Sequence, residues 1–256
     1  MTLFHSLILG IIEGLTEFLP VSSTAHLIIT SKLLSLEQTD YVRLFEITIQ
    51  LGAIGAVVVT YFKKFFNIEL LMKLAVAFIP TGLAGLLLYP HLKTFFENTW
   101  IIVGTLSVGG AFIILIEKWY AKKYSGTHTP QEVITFKNAL LLGLFQAVAI
   151  VPGTSRSGAT IIGGLLLGIK RTVVTEFTFL LAVPTMVVAT AYSVYKNREL
   201  FTHVDSYAPL LLGTLVSFGV ALVVIRYFLN YVRRHSFEIF GWYRILLALI
   251  IALTLI

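Results

Sequence analysis

Between residues 13 and 26 the chain reads EGLTEFLPVSSTAH, which sets two carboxylates, two serines, two threonines and an imidazole inside an apolar run. Glu13 and Glu17 lie four residues apart, so on a helix they share one face. Pro20 stops that helix. Ser22, Ser23 and Thr24 are N-cap types for a second helix, and His26 falls in its first turn. Carboxylates of this kind are hard oxygen ligands for a cation such as Mg²⁺. A serine hydroxyl is a candidate nucleophile, and a carboxylate or imidazole beside it is a candidate proton carrier. The second cluster is VPGTSRSGATI, residues 151–161. Pro152 ends an incoming helix and Gly153 permits a tight backbone. Thr154, Ser155 and Ser157 bring hydroxyls, and Arg156 brings a planar fork of donors that matches phosphate. A helix starting near Ser157 adds free backbone N–H groups and the positive end of its dipole. The first cluster is thus rich in acid–base and metal-ligating types, the second in anion-binding types.

Each residue also has a plainer reading. Glu13 and Glu17 can serve as buried partners of basic groups, and an Arg156–Glu17 ion pair is the main structural rival. Ser22, Ser23 and Thr24 can be ordinary caps, and His26 a hydrogen-bonded core histidine. The crowding of all of them in one apolar kink favours a site, because ionisable groups are costly inside a membrane. Glu46 and Gln50, four apart in the next apolar run, are read as support rather than direct contacts. His5, His91, His128, His203 and His235 sit near ends or loops and show no metal spacing.

The elements that must hold these residues are membrane helices. The 256-residue chain is 57% hydrophobic and only 12% charged, half the charge of an average soluble domain, with mean hydropathy +0.89. It has no cysteine, which excludes disulfides and thiolate metal sites. A net charge of +6 reads as basic loops on one side of a bilayer rather than a nucleic-acid surface. The N-terminus lacks the basic region and cleavage site of a signal peptide, so the first apolar run is expected to be retained.

Six segments are long and apolar enough to span a bilayer: 41–62, 68–90, 99–118, 174–195, 208–228 and 238–256. Residues 3–35 and 136–170 are each apolar, broken by Pro and small polar residues, then apolar again. Each is expected to be a re-entrant pair of half-helices. The expected fold is therefore an all-α polytopic membrane protein of six spans and two broken hairpins, forming a single membrane domain over 1–256.

The two broken segments align with a shift of 133 residues, which places Gly10 on Gly143, Glu13 on Gln146 and Ser22 on Ser155. Residues 45–58 and 177–190 also align, with a one-residue adjustment. The reading is a duplication into halves of about 1–118 and 136–256, joined by a basic cytoplasmic loop 119–135. Paired interrupted segments in two halves point to a site where the repeats meet. With both hairpins re-entrant, twelve basic residues (Lys63, Lys64, Lys73, Lys118, Lys122, Lys123, Lys137, Lys170, Arg171, Arg226, Arg233, Arg234) fall on one side. Five (Lys32, Arg43, Lys93, Lys196, Arg198) fall on the other. The richer side is expected to be cytoplasmic. Both termini then face outward and the hairpins insert from opposite sides, as an inverted repeat requires. Arg156 and Arg244 were kept out of this count because they fall within apolar segments.

EGLTEFLPVSSTAH (13–26) and PGTSRSGATI (152–161) together resemble the two signature motifs of the undecaprenyl-diphosphate phosphatase family, also called bacitracin-resistance proteins. FEITIQLGA (45–53) and FLLAVPTM (179–186) fit as well, so the resemblance covers essentially the whole chain. Ala25 stands where many members have glycine. The resemblance implies hydrolysis of a C55 polyprenyl diphosphate to the monophosphate carrier plus phosphate. It implies lipid-carrier recycling for cell-wall synthesis, bacitracin resistance, a bacterial inner-membrane location and a site open to the outer face. It also implies a divalent cation, Mg²⁺ or Ca²⁺. The family's functional residues fall on Glu13, Glu17, Ser22, Ser23, Thr24, His26, Ser155, Arg156, Ser157 and Thr160. In this assignment Glu13 and Glu17 hold metal. Ser22, Thr24, Ser155, Arg156, Ser157 and Thr160 bind phosphate. Glu17, Ser23, His26 and Arg156 are catalytic. Ser23 is the preferred nucleophile, with direct attack by an activated water left open. His26 either activates Ser23 or protonates the leaving oxygen, and Glu17 is the alternative base. The partners expected are the polyprenyl diphosphate and membrane lipid, with no nucleic acid and with a homodimer left open. The competing function is a transporter or flippase of polyprenyl phosphate, since broken helices in inverted repeats are also a transporter design.

Overall fold

The computed structural model describes residues 1–125, 129–196, 198–199 and 207–254, and for 89–97 the backbone alone. The described residues form α1 (Leu3–Thr16), α2 (Ser23–Leu33), α3 (Asp40–Thr60), α4 (Ile68–Glu97), α5 (Thr99–Lys123), α6 (Phe136–Ala147), α7 (Arg156–Leu166), α8 (Arg171–Lys196), α9 (Ala208–Val232) and α10 (Glu238–Thr254). Short 3₁₀ turns follow α3 at Phe62–Phe66 and α6 at Val148–Ile150. No strand occurs among the described residues; an isolated bridge pairs Gln131 with Ile169. His128 and His203 lie outside the described residues.

Among the described residues five helices, α3, α4, α5, α8 and α9, are long and apolar enough to cross a membrane. The sixth expected span is α10, which has 17 described residues, enough for about 26 Å of rise. The expected end of α4 at Pro90 is not observed: the helix continues to Glu97. A proline removes one hydrogen bond, and a membrane helix tolerates that loss better than a soluble one. Pro184 is likewise accommodated inside α8.

Caps set the ends. Thr2, Thr39, Asn67, Asn98 and Thr135 each accept a backbone N–H at the start of a helix, as expected for N-cap types. Glycines let helices approach closely. A Cβ on Gly10 would stand 2.6 Å from the Gly213 carbonyl oxygen, and one on Gly143 would stand 2.1 Å from that of Ala77. These two contacts fix α1 along α9 and α6 along α4.

The direction of these pairings places the hairpins. On α1, Gly10 meets Gly213 and Gly14 meets Ser217, so α1 and α9 run the same way. Gly52 and Gly55 of α3 meet Thr214 and Phe218, so α3 also runs with α9. On α6, Gly143 meets Ala77 and Gln146 meets Thr81, so α6 runs with α4. Because α3 and α4 are joined by one short turn, they run oppositely, and α1 and α6 therefore insert from opposite sides. Each then turns back. At the end of α2, Ser31 bonds Glu46 near the start of α3 (2.8 Å) and Lys32 bonds Thr99 at the start of α5 (3.0 Å). Beyond α7, the Ile169 carbonyl accepts from Tyr120 near the end of α5 (3.1 Å).

Candidate active site

The two breaks meet in the interior. At the first, the chain leaves α1 after Thr16, passes Pro20 and restarts at Ser23. Ser22 is the N-cap, with φ 71° and ψ 91°, and its hydroxyl accepts from Ala25 N. At the second, Ser155 is the N-cap of α7, with φ 71° and ψ 115°, and its hydroxyl accepts from Gly158 N. The two serines were aligned from sequence; they share the same unusual positive φ, a conformation that costs a non-glycine residue of order 1–3 kcal/mol. Gly153, at φ 84°, takes the other left-handed position, where a Cβ would lie 2.2 Å from Thr105 Oγ1.

Polar bonds join the breaks. Ser157 donates to the Leu19 carbonyl at 2.8 Å. Arg156 Nη2 donates to Glu17 Oε1 at 3.1 Å, and its Nη1 to the Thr178 carbonyl at 2.9 Å. Ser23 donates to Glu17 Oε2 at 2.6 Å. Glu17 thus holds a hydroxyl on one oxygen and a guanidinium on the other. Around this pair lies a cleft of about 450 Å³, including its open mouth, lined by residues of both breaks. Glu17, Ser22, Ser23 and Thr24 line one side, and Pro152, Gly153, Ser155 and Arg156 the other. Ala149, Ile150 and Met186 complete the wall.

Most of the expected site residues converge here. Glu13, His26, Ser157 and Thr160 stand behind the cleft. Thr160 is fully buried and donates to the Arg156 carbonyl one turn back at 2.9 Å, so it supports α7 rather than meeting a ligand. Ser157 is spent on Leu19 and on Ser155, 3.1 Å away. His26 does not face Ser23. Its Nδ1 bonds the Ser22 carbonyl and its Nε2 bonds Tyr243 Oη, each at 2.7 Å. The carbonyl can only accept, so Nδ1 carries the proton and Nε2 accepts from the tyrosine. The ion pair expected as a structural rival, Arg156 with Glu17, is present, yet both partners line the cleft.

Glu13 is fully buried and neither of its oxygens has a partner among the described residues. An unpartnered carboxylate at that depth is costly. Two orphaned hard oxygens one helical turn from Glu17 fit a divalent cation. No cluster of three or more His, Asp or Glu suited to a metal exists among the described residues. Glu13 and Glu17 would therefore share the ion with a phosphorylated ligand, as Mg²⁺ sites commonly do.

Two residues that sequence reading missed are Tyr243 and Arg244. The first reaches His26. The second is fully buried and donates to backbone carbonyls of both breaks. An arginine inside an apolar segment was the available signal, but it does not say which carbonyls it meets.

The profile of the bacitracin resistance protein BacA family matches residues 6–250. The chain belongs to that family. Among its relatives, the undecaprenyl-diphosphatase of Sulfurihydrogenibium sp. (strain YO3AOP1) is 50% identical over 250 residues, 98% of each chain. That of Campylobacter jejuni subsp. jejuni (strain 81-176) is 48% identical over 247 residues, 96% of this chain and 92% of the relative. That of Aquifex aeolicus (strain VF5) is 44% identical over 254 residues, 98% of each. Both breaks, and Tyr243 and Arg244 of α10, lie within the matched residues.

Proposed function

We propose that this membrane protein is an undecaprenyl-diphosphatase, which cleaves the terminal phosphate from undecaprenyl diphosphate and returns the monophosphate carrier to cell-wall synthesis. The 2.6 Å bond from Ser23 to Glu17 carries the reading, because it joins a nucleophile to a base inside an anion-binding cleft. Family membership and the names of the full-length relatives agree with it.

The reaction runs on this chain's own groups. The terminal phosphate sits between the two helix starts, where Arg156 and the first amides of α2 and α7 neutralise its oxygens. Ser23 Oγ attacks the terminal phosphorus as its proton passes to Glu17, and the bond to the bridging oxygen breaks. Undecaprenyl phosphate departs and leaves a phosphoseryl group. Glu17 passes that proton to the departing phosphate oxygen and is a base again. Water then attacks the phosphoserine as it loses a proton to Glu17, the bond to Ser23 Oγ breaks, Glu17 returns the proton to that oxygen, and inorganic phosphate is released. Positioning and charge neutralisation carry most of such a transfer. Glu13 and Glu17 would hold a divalent cation, Mg²⁺ or Ca²⁺, which supplies further charge neutralisation on the diphosphate. His26 positions the Ser22 peptide.

Opposed broken helices are also used by transporters. A carrier of lipid phosphate gains nothing from a carboxylate bonded to a serine at its anion site, so hydrolysis is the better reading. The duplication into halves 1–118 and 136–256 is supported by the paired serines and by the matching approaches of α1 to α9 and α6 to α4.

The orientation follows the basic residues, with the end bearing Lys63, Lys122 and Arg233 in the cytoplasm and the cleft serving the outer face. The chain has no cysteine, so single cysteines at Lys123 and Arg43 report their own accessibility from outside the cell. Labelling of position 43 and not 123 is expected; the reverse sinks the orientation. The activity test is phosphate release from a polyprenyl diphosphate by purified protein with Mg²⁺, Ca²⁺ or EDTA. Cation-dependent release lost in Ser23→Ala and Arg156→Ala is expected. No release with any cation would overturn the assignment.

A further inference from the structure

Arg244 lies on α10, is fully buried and bonds no carboxylate among the described residues. Its guanidinium donates to five backbone carbonyls. Nη1 reaches Pro20 O at 3.2 Å and Thr154 O at 2.9 Å. Nη2 reaches Gly153 O at 2.9 Å and Thr105 O at 3.0 Å. Nε reaches Leu106 O at 3.4 Å. One side chain therefore grips the first break, the second break and α5. The path to it is cleared by glycine: a Cβ on Gly109 would stand 2.3 Å from Nη2, and one on Gly158 3.3 Å from Nη1.

A buried cation matched only by dipoles is a costly device for packing, since an apolar side chain would fill the space at less cost. The carbonyls it holds are informative. In a trans peptide the C=O and the following N–H point in opposite directions. Fixing the Thr154 carbonyl on Arg244 turns the Ser155 N–H away from the guanidinium, and Ser155 is one of the residues that line the cleft. Fixing the Pro20 carbonyl sets the peptide that leads into Ser22 and Ser23. We propose that Arg244 is a positioning residue for phosphoryl transfer: it locks the two opposed turns in register, so that the phosphate-facing amides of the second turn are aimed at the atom Ser23 attacks. This rests on the placement of the active site at the two breaks.

The test uses full-length protein in detergent, a polyprenyl diphosphate substrate, and kcat, KM and thermal midpoint measured together. Arg244→Lys keeps the charge but not the fork that spans both turns. Gly109→Ala keeps the arginine, suits a helix, and pushes Nη2 off its carbonyls. Both are expected to lower kcat about 10- to 100-fold, as small misplacements of reacting groups do, while KM stays within about threefold because the prenyl chain is untouched. Gly104→Ala, on the same helix with open space around its Cβ, is the control and keeps the parent kcat. A purely structural arginine would lower the thermal midpoint and leave kcat per folded molecule unchanged; that result overturns the proposal. If Arg244→Lys does not fold, Gly109→Ala decides alone: a parent-like kcat refutes the role and a reduced kcat supports it. Ser23→Ala and Arg156→Lys run alongside. If those two remain active, the placement of the site is wrong, whatever Arg244 does.

Discussion

Ser23 donates its hydroxyl hydrogen to Glu17 Oε2 at 2.6 Å, while Arg156 occupies the other oxygen of the same carboxylate at 3.1 Å. One glutamate thus joins the nucleophile of the first turn to the anion clamp of the second. Glu17→Gln keeps the size and removes the base. Its kcat should fall by ~10²–10⁴, the usual worth of a general base, with the thermal midpoint near the parent value. Full turnover by a folded Glu17→Gln would assign proton removal elsewhere.

Glu13 makes a different prediction, because its orphaned oxygens are read as cation ligands. Glu13→Gln should shift the Mg²⁺ or Ca²⁺ activation curve to higher concentration, with part of the rate recovered at saturating metal. Activation curves that overlay the parent's would remove Glu13 from the ligand set.

The Tyr243–His26 bond, 2.7 Å with the rings stacked at 2°, fixes the imidazole whose other nitrogen holds the Ser22 carbonyl. Tyr243→Phe removes one hydrogen bond, worth about 1 kcal/mol, and should cost less than tenfold in kcat. His26→Ala releases the Ser22 peptide as well and should cost more. Equal losses in the two variants would mean that the tyrosine itself meets the substrate.

Packing can be tested away from chemistry at Gly143, where a Cβ would meet the Ala77 carbonyl at 2.1 Å. Gly143→Ala forces α6 off α4 and should destabilise by about 1–3 kcal/mol, as overpacking does. The readout is the thermal midpoint in detergent, and an unchanged midpoint would show that the two helices part without cost.

The positions of the breaks could be read from the sequence because Pro20, Pro152 and the small polar residues after them are local signals. Which residue types would meet in the centre could be read for the same reason. The roles behind the cleft could not. Thr160 carries the right hydroxyl, but its own helix captures it through the Arg156 carbonyl. His26 sits three residues from Ser23 in sequence, yet the turn of α2 directs it to Tyr243, 217 positions away. Arg244 stood out as a charge in an apolar run, but its partners come from three distant segments. The run of α4 beyond residue 90 to Glu97 could not be read, because His91, Lys93 and Thr94 interrupt the apolar pattern while the backbone stays helical.

The grip of Arg244 on Pro20 spans 224 positions of chain. The turn that emerges early from the ribosome is secured by a helix that emerges late. Until α10 enters the bilayer, the early turn has its serine and its glutamate but lacks the guanidinium that fixes its backbone. Catalytic competence is then a property of the finished fold, acquired in the last steps of insertion, and a chain stalled before α10 would sit in the membrane with its lipid diphosphate uncut.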